Sequence, residues 1–147
     1  MKDEANVRVE EEAIIAMLMM RAKALGEKNA KDALSYETED EVEFSLAPPL
    51  VYYSKDEAGL QAWFDTWEGP IGGDVRDARL TVGEDVAFWS GLMQMTGTKT
   101  DGAVVDLWFR QTLGLVKQGG RWLVAHQHAS VPFAMDGSGR ALLDLKP

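Results

Sequence analysis

Apolar positions between Val9 and Leu25 keep a helical period. Ile14, Leu18, Ala22 and Leu25 form one stripe, Met17 and Met20 widen it, and Glu10, Glu11 and Glu12 lie in the first turn, where the helix dipole favours acids. Arg21 and Lys23 lie near the other end, and Gly26 follows as a stop. A short helix is predicted over Ala30–Tyr36, capped by Asn29 with Asp32 in the capping-box position. The period then changes. In Glu41-Val42-Glu43-Phe44-Ser45-Leu46 apolar and polar residues alternate, which predicts a half-buried strand ended by Pro48-Pro49. Ser54-Lys55-Asp56-Glu57 is a second capping box. The helix behind it carries Leu60, Trp63, Phe64 and Trp67 on one stripe and stops at Gly69-Pro70.

The rest of the chain reads as strand: Val75–Val82, Val86–Thr96, Val104–Lys117 and Arg121–Phe133. Short turns at Gly83-Glu84-Asp85, Asp101-Gly102 and Gln118-Gly119-Gly120 make these strands antiparallel neighbours. Helices first and hairpin-linked strands last imply an α+β class, with helices covering one face of a curved antiparallel sheet. Strands this long must coil, and Gly91 and Gly114 are the expected bends. A glycine-bearing tail, residues 134–147, is expected to be loose.

Composition narrows the functions open to such a domain. The 147 residues are 46% hydrophobic with five tryptophans, enough for one core. They include no cysteine, which excludes a disulfide scaffold, a thiolate zinc site and a cysteine nucleophile. A formal charge of −9 disfavours nucleic-acid and membrane partners. The longest apolar run, Ala13–Met20, falls short of the roughly 18 residues of a membrane span, and the acidic start does not read as a signal peptide. A cytoplasmic protein is the expectation. No phosphate loop, Ser-His-Asp arrangement or basic patch is present.

Three local patterns give this order of elements a likeness. They are Tyr36…Asp40…Phe44…Pro48-Pro49-Leu50, then Phe109-Arg110-Gln111-Thr112, then Gly120-Arg121-Trp122 running through His126-Gln127-His128-Ala129-Ser130 to Pro132. Over residues 9–133 the chain resembles the nuclear-transport-factor-2-like superfamily and its SnoaL-like and ketosteroid isomerase-like members. Its last strand is similar to the association domain of calcium/calmodulin-dependent protein kinase II. The resemblance implies a single cone-shaped domain: a curved antiparallel sheet wrapped around N-terminal helices, a pocket between them, and a convex sheet face that pairs with a second copy. The tyrosine and aspartates of ketosteroid isomerases have no counterpart here, and the arginines of the kinase association domain fall on Gly91, Leu113 and Ala129.

Which residues face the pocket depends on one turn. A three-residue turn at Gln118-Gly119-Gly120 sets Arg110 opposite His128 and Thr112 opposite His126; a two-residue turn at Gly119-Gly120 sets Gln111 opposite His128. The likeness to the kinase domain favours the first. On that reading Trp89, Met93, Met95, Leu107, Phe109, Gln111, Leu113, Leu123 and Gln127, closed by Trp63 and Trp67, line an apolar ligand pocket. Asp106, Trp108, Arg110, His126 and His128 then form a homodimer face. His126 and His128 are candidates for general base, or for metal ligands if Asp106 completes the set, although structural roles at the paired face suit them better. Asp40, Glu41 and Glu43 read as a solvated acidic edge, with Asp40 the best carboxylate if there is acid–base work. Two functions follow. One is a cofactor-free isomerase, lyase or cyclase whose substrate carbonyl is polarised by Gln111 and Gln127. The other is a non-catalytic ligand-binding or dimerisation module. A titratable group reaching the cavity centre favours the enzyme.

Overall fold

The computed structural model describes residues 3–147. Three helices and seven strands follow in the order α1 (Glu4–Gly26), α2 (Ala30–Leu34), β1 (Glu37–Phe44), β2 (Tyr52–Tyr53), α3 (Glu57–Phe64), β3 (Trp67–Gly72), β4 (Val75–Val82), β5 (Val86–Lys99), β6 (Val104–Gln118) and β7 (Arg121–Ser130). The strands form one sheet in the order β2-β1-β7-β6-β5-β3, with β4 also paired to β5. Every pairing is antiparallel except that of β1 with β7, so the sheet is mixed and not purely antiparallel. It curves around α1.

Helix α1 starts earlier than its apolar pattern, because the Asp3 carboxylate accepts a 2.7 Å hydrogen bond from the Ala5 amide and caps the helix. Its inward line is Ile14, Met17, Arg21 and Ala24. The stripe expected from the sequence was rotated from this: Ala22 is exposed, while Leu18 and Leu25 are half-buried. Ile14 and Met17 pack with Ala87, Leu113, Leu115, Trp122 and Val124 to form the core. Toward the start of the helix, Glu10 accepts hydrogen bonds of 2.6 Å from both Lys117 Nζ and Trp122 Nε1, clamping α1 to the sheet.

Two boundaries move. Helix α3 ends at Phe64, so Trp67 opens β3, and Gly69-Pro70 lies within that strand and not at a helix end. Strand β1 begins at Glu37, ahead of any apolar alternation. Both expected bends fall at irregularities. The register of β4 on β5 shifts between Arg76 and Arg79, opposite Gly91, and that of β6 on β7 shifts between Gly114 and Leu115. A Cβ on Gly91 would stand 2.7 Å from Trp89 Cη2, so only glycine leaves room there.

The second shift settles the faces. Gln118 pairs with Arg121, which makes the turn the two-residue form, against expectation. The bulge on β7 then adds a residue and restores the facing that a three-residue turn would give. Thr112 comes opposite His128, Gly114 opposite His126, and Arg110 opposite Ser130. Before the bulge Trp122 and Val124 face the core; after it Gln127 does. Leu123, placed in the pocket wall by strict alternation, instead pairs with Val116 on the convex side. The tail is not loose. Phe133 bridges Ala141, Leu142 donates its amide to the Pro132 carbonyl, and Lys146 reaches Asp106 at 3.3 Å.

Candidate functional site

One turn beyond Met17, the inward line of α1 brings a charge into the cone. Arg21 is buried, and its Nη2 donates to Glu37 Oε1 at 3.1 Å and to Gln127 Oε1 at 3.0 Å. The Gln127 amide turns its nitrogen to the acids, donating to Glu37 Oε1 at 3.2 Å and to Glu41 Oε1 at 2.7 Å. Three elements thus supply one buried cluster: α1 the guanidinium, β1 two carboxylates and β7 the amide. Local backbone geometry makes this possible. Glu37 pairs with Val124 but Val42 with His126, so residues between them arch out of the ladder and bring Glu37 and Glu41 to the same interior. Glu39, between them, turns outward to Lys55 at 2.9 Å.

The acids are unequally placed. Glu41 is 2% exposed, and its pKa is pushed up to about 8, first by burial and next by the Glu37 charge. Gln127 opposes this by donating to it, while a hydrogen bond with Glu37 reinforces it. Near neutrality Glu41 therefore keeps its proton, and Glu37 is the partner of Arg21. Glu43, opposite Gln127 in the β1–β7 register and half-buried, is also raised, by burial and then by Glu37, with Arg21 pulling it down. Arg21 Nε and Glu37 Oε2 are buried without a hydrogen-bond partner, leaving a donor and an acceptor unused within the cluster. The arrangement holds a carboxyl that keeps its proton near neutrality, the arginine-paired Glu37 and a third acid of raised pKa around one cation. Such a set can donate and accept protons near neutral pH.

This is not the acidic edge expected from the sequence. Glu41 faces inward and Asp40, the favoured carboxylate, is exposed and outside the cluster. The alternation of β1 is real, but its charged face is the inner one. Phe44 looks the other way and stands edge-on to His126 and His128, with ring centroids 4.8 and 5.2 Å away. His126 Nδ1 lies 2.7 Å from the Val42 carbonyl. Asp106 lies six residues along β6 from Thr112, the partner of His128, roughly 20 Å at strand rise. Asp106 instead bonds Gln94 and Lys146, so it does not complete a metal set with the two histidines. No group of three metal-ligating side chains occurs among the described residues.

Trp89, Met93, Phe109, Gln111, Leu113 and Gln127 share the concave face through their register. Trp63 does not join them: it is 40% exposed at the end of α3, edge-on to the buried Trp67 at 5.6 Å, with Lys99 Nζ above both rings. Two open pockets lie elsewhere. One of about 690 Å³ runs along Phe44–Val51 with Tyr53 and His128. One of about 330 Å³ lies between Arg79 and Arg110 and includes Gln111. Neither is lined by Arg21, Glu37 or Glu41.

A family model for the SnoaL-like domain matches residues 14–134. The fold is similar to that of an NTF2-like protein of unknown function from Pseudomonas putida, with a TM-score of 0.84 and 24% identity over 95% of this chain and 98% of that one. A scytalone dehydratase-like protein from Novosphingobium aromaticivorans gives 0.79 and 18% over 96% of both chains. The association domain of calcium/calmodulin-dependent protein kinase II from Caenorhabditis elegans gives 0.66 and 15% over 84% of this chain and 96% of that one. No curated protein matches the sequence significantly. No helix among the described residues is long and apolar enough to cross a membrane.

Proposed function

The chain belongs to the SnoaL-like domain family, and we propose that it is a cofactor-independent acid–base enzyme of the isomerase, lyase or cyclase type. Its substrate is an apolar small molecule taken into the cone beside Glu43. The observation that carries this reading is the buried Arg21–Glu37–Gln127–Glu41 cluster, with Glu41 held protonated up to about pH 8. Glu43, less deeply buried, takes a proton from carbon next to a substrate carbonyl; the C–H bond breaks and its electron pair moves to oxygen. The Glu41 carboxyl donates a hydrogen bond to that oxygen, and Gln111 on the concave face adds a neutral donor. Arg21 pairs with Glu37, and burial first and the Glu37 charge second keep the proton on Glu41. Returning the proton from Glu43 to a different carbon completes an isomerisation. The apolar wall of Trp89, Met93 and Phe109 orients an uncharged ring.

The test is exchange of ketone α-protons for deuterium, followed by NMR over a panel of cyclic enolisable ketones. Wild type is expected to accelerate exchange for at least one of them, and Glu43→Gln and Glu41→Gln each to lose about a hundredfold or more. Absence of exchange across the panel, with the Glu41 carboxyl titrating in the ordinary carboxylate range, would overturn the reading.

A specific observation favours a second reading, a ligand-binding or association module without turnover: Glu41 is almost sealed, and the two open pockets do not border it. On either reading the convex sheet face is proposed to pair two copies, acting in the cytoplasm. Lys146 already occupies the Asp106 end of that face, so the end with Arg110, Trp108, His126 and His128 is the part offered. Arg110→Ala should weaken this pairing in analytical ultracentrifugation, and an unchanged assembly would remove the assignment.

A further inference from the structure

Helix α1 has a second face that the fold does not use. Opposite its inward line stand Ile15 and Met19, with Val9 and Met20 exposed on the flank, and Met19 is 68% exposed. Arg8, Glu12, Ile15, Met19 and Ala22 recur at alternating spacings of four and three along this outer side, the repeat of a helix–helix seam. Its middle is apolar or small. Its ends are charged and internally paired, Arg8 to Glu12 at 3.8 Å and Lys23 to Glu27 at 3.9 Å, all four side chains lying largely in solvent.

The order of charges identifies the occupant. Read along the helix it is positive, negative, an apolar stretch, positive, negative. A reversed copy of the same helix, centred between Met17 and Leu18, brings Glu27 of the second copy beside Arg8 and Lys23 of the second copy beside Glu12. It also sets Met19 and Met20 of the second copy against Ile15 and Ala16. Each of these four charges meets its opposite, and a two-fold axis repeats each contact. A parallel copy would stack Arg8 on Arg8 and Glu12 on Glu12. Ala16 and Ala22 let the two backbones approach closely.

We propose that the outer face of α1 docks a second copy of this chain, antiparallel, about a two-fold axis near Met17 and Leu18. This interface is separate from the convex sheet face and does not depend on the enzymatic reading. A chain using both faces assembles beyond a dimer.

The test is sedimentation velocity on the full chain, with circular dichroism to confirm folding. Met19→Glu is expected to halve the mass of the assembly, raising the dissociation constant of the helix-mediated step about a hundredfold. Glu12→Lys alone is expected to raise it about tenfold, because the new lysine faces Lys23 of the second copy twice per interface. Glu12→Lys combined with Lys23→Glu should restore association. Arg110→Ala should leave the Met19-sensitive step in place, which separates failure of the sheet pairing from failure of this one. A monomeric wild type at its highest soluble concentration, a mass unchanged by Met19→Glu, or no recovery in the double exchange would each overturn the proposal. So would binding to phosphatidylcholine vesicles lost in Met19→Glu without any self-association, which would assign the face to a lipid surface.

Discussion

Across β6 and β7, Leu115 faces Val124 and, a short step along the same strands, Leu113 faces Gln127. The first pair lies under Ile14 and Met17 in a core that buries no polar side chain of its own. In the second pair Leu113 still belongs to that core, while Gln127 bonds to Arg21, Glu37 and Glu41. Both halves line the inside of one curved sheet, are covered by one helix and are about equally buried. What separates them is what burial does to each. Removing the apolar half from water drives folding. Removing the polar half costs desolvation that ion pairing at best offsets, and apolar replacements of the same shape are often as stable or more so. The apolar half explains why the cone exists. The polar half is poorly explained by stability, and the proposed proton chemistry gives it a use.

Removing the cation should break the contrast most visibly. Arg21→Met leaves the buried Glu37 carboxylate without its counter-charge, and should lower unfolding free energy by about 4 kcal/mol at neutral pH. The loss should shrink in acid, where the carboxylates left behind take up protons. Leu115→Ala is the matching cut in the apolar half, expected to cost about 3 kcal/mol through a cavity. That loss should be the same in acid and at neutrality. Urea titrations at both pH values check the pair, and a pH-independent Arg21→Met loss would show that the guanidinium acts only as packing.

Glu41 sharpens the comparison further. Its pKa is raised in the folded chain from 4.5 to about 8, so between those values the folded protein holds a proton that the unfolded chain releases. Stability is then greatest below about pH 4.5 as far as this group is concerned, and falls as pH rises toward 8. Glu43 is shifted the same way and adds to the slope. Glu41→Gln keeps a neutral side chain at all pH values. It should match wild type near pH 5 and exceed it by about 4 kcal/mol above pH 8. Thermal melts across that range check it: two parallel curves would mean that Glu41 titrates as an ordinary surface acid.

The apolar half was legible in the sequence and the polar half was not, for one reason. Periodicity identifies a face by its apolar residues, so it is blind where the inner face is charged. In β1 the alternation was visible, but Glu41 and Glu43 were read as a solvated edge, whereas Glu41 faces inward and Val42 and Phe44 lie toward the histidines on the other side. The middle of helix α1, Ala13–Met20, is apolar all round, so the stripe could be continued through Ala22 as easily as through Arg21. A sign was there: Arg21 lies three and four residues from Ala24 and Met17, on the line through Ile14. Gly91 and Gly114 marked the strand irregularities, since a residue without Cβ reports a close approach by composition alone. The bulge that inverts the faces of β7 had no marker in β7 itself. Trp67 was drawn into the preceding helix because the strand it opens contains Gly69 and Pro70, which read as a stop.

The smallest expected effect concerns the other end of α1, where Glu10 receives Lys117 and Trp122. This too joins helix to sheet through a carboxylate, but in a partly open place where water supports the charge. Glu10→Gln keeps the shape and a hydrogen-bond acceptor while removing the charge, and should cost about 1 kcal/mol. Raising the salt concentration should reduce that cost, because exposed pairs are screened. The Arg21→Met loss, set inside the cone, should be nearly insensitive to salt. Measuring both variants in low and high salt therefore separates an ordinary surface clamp from the buried cluster. Equal salt dependence would place the interior charges in contact with bulk solvent, and the cone would then be open to water at Arg21.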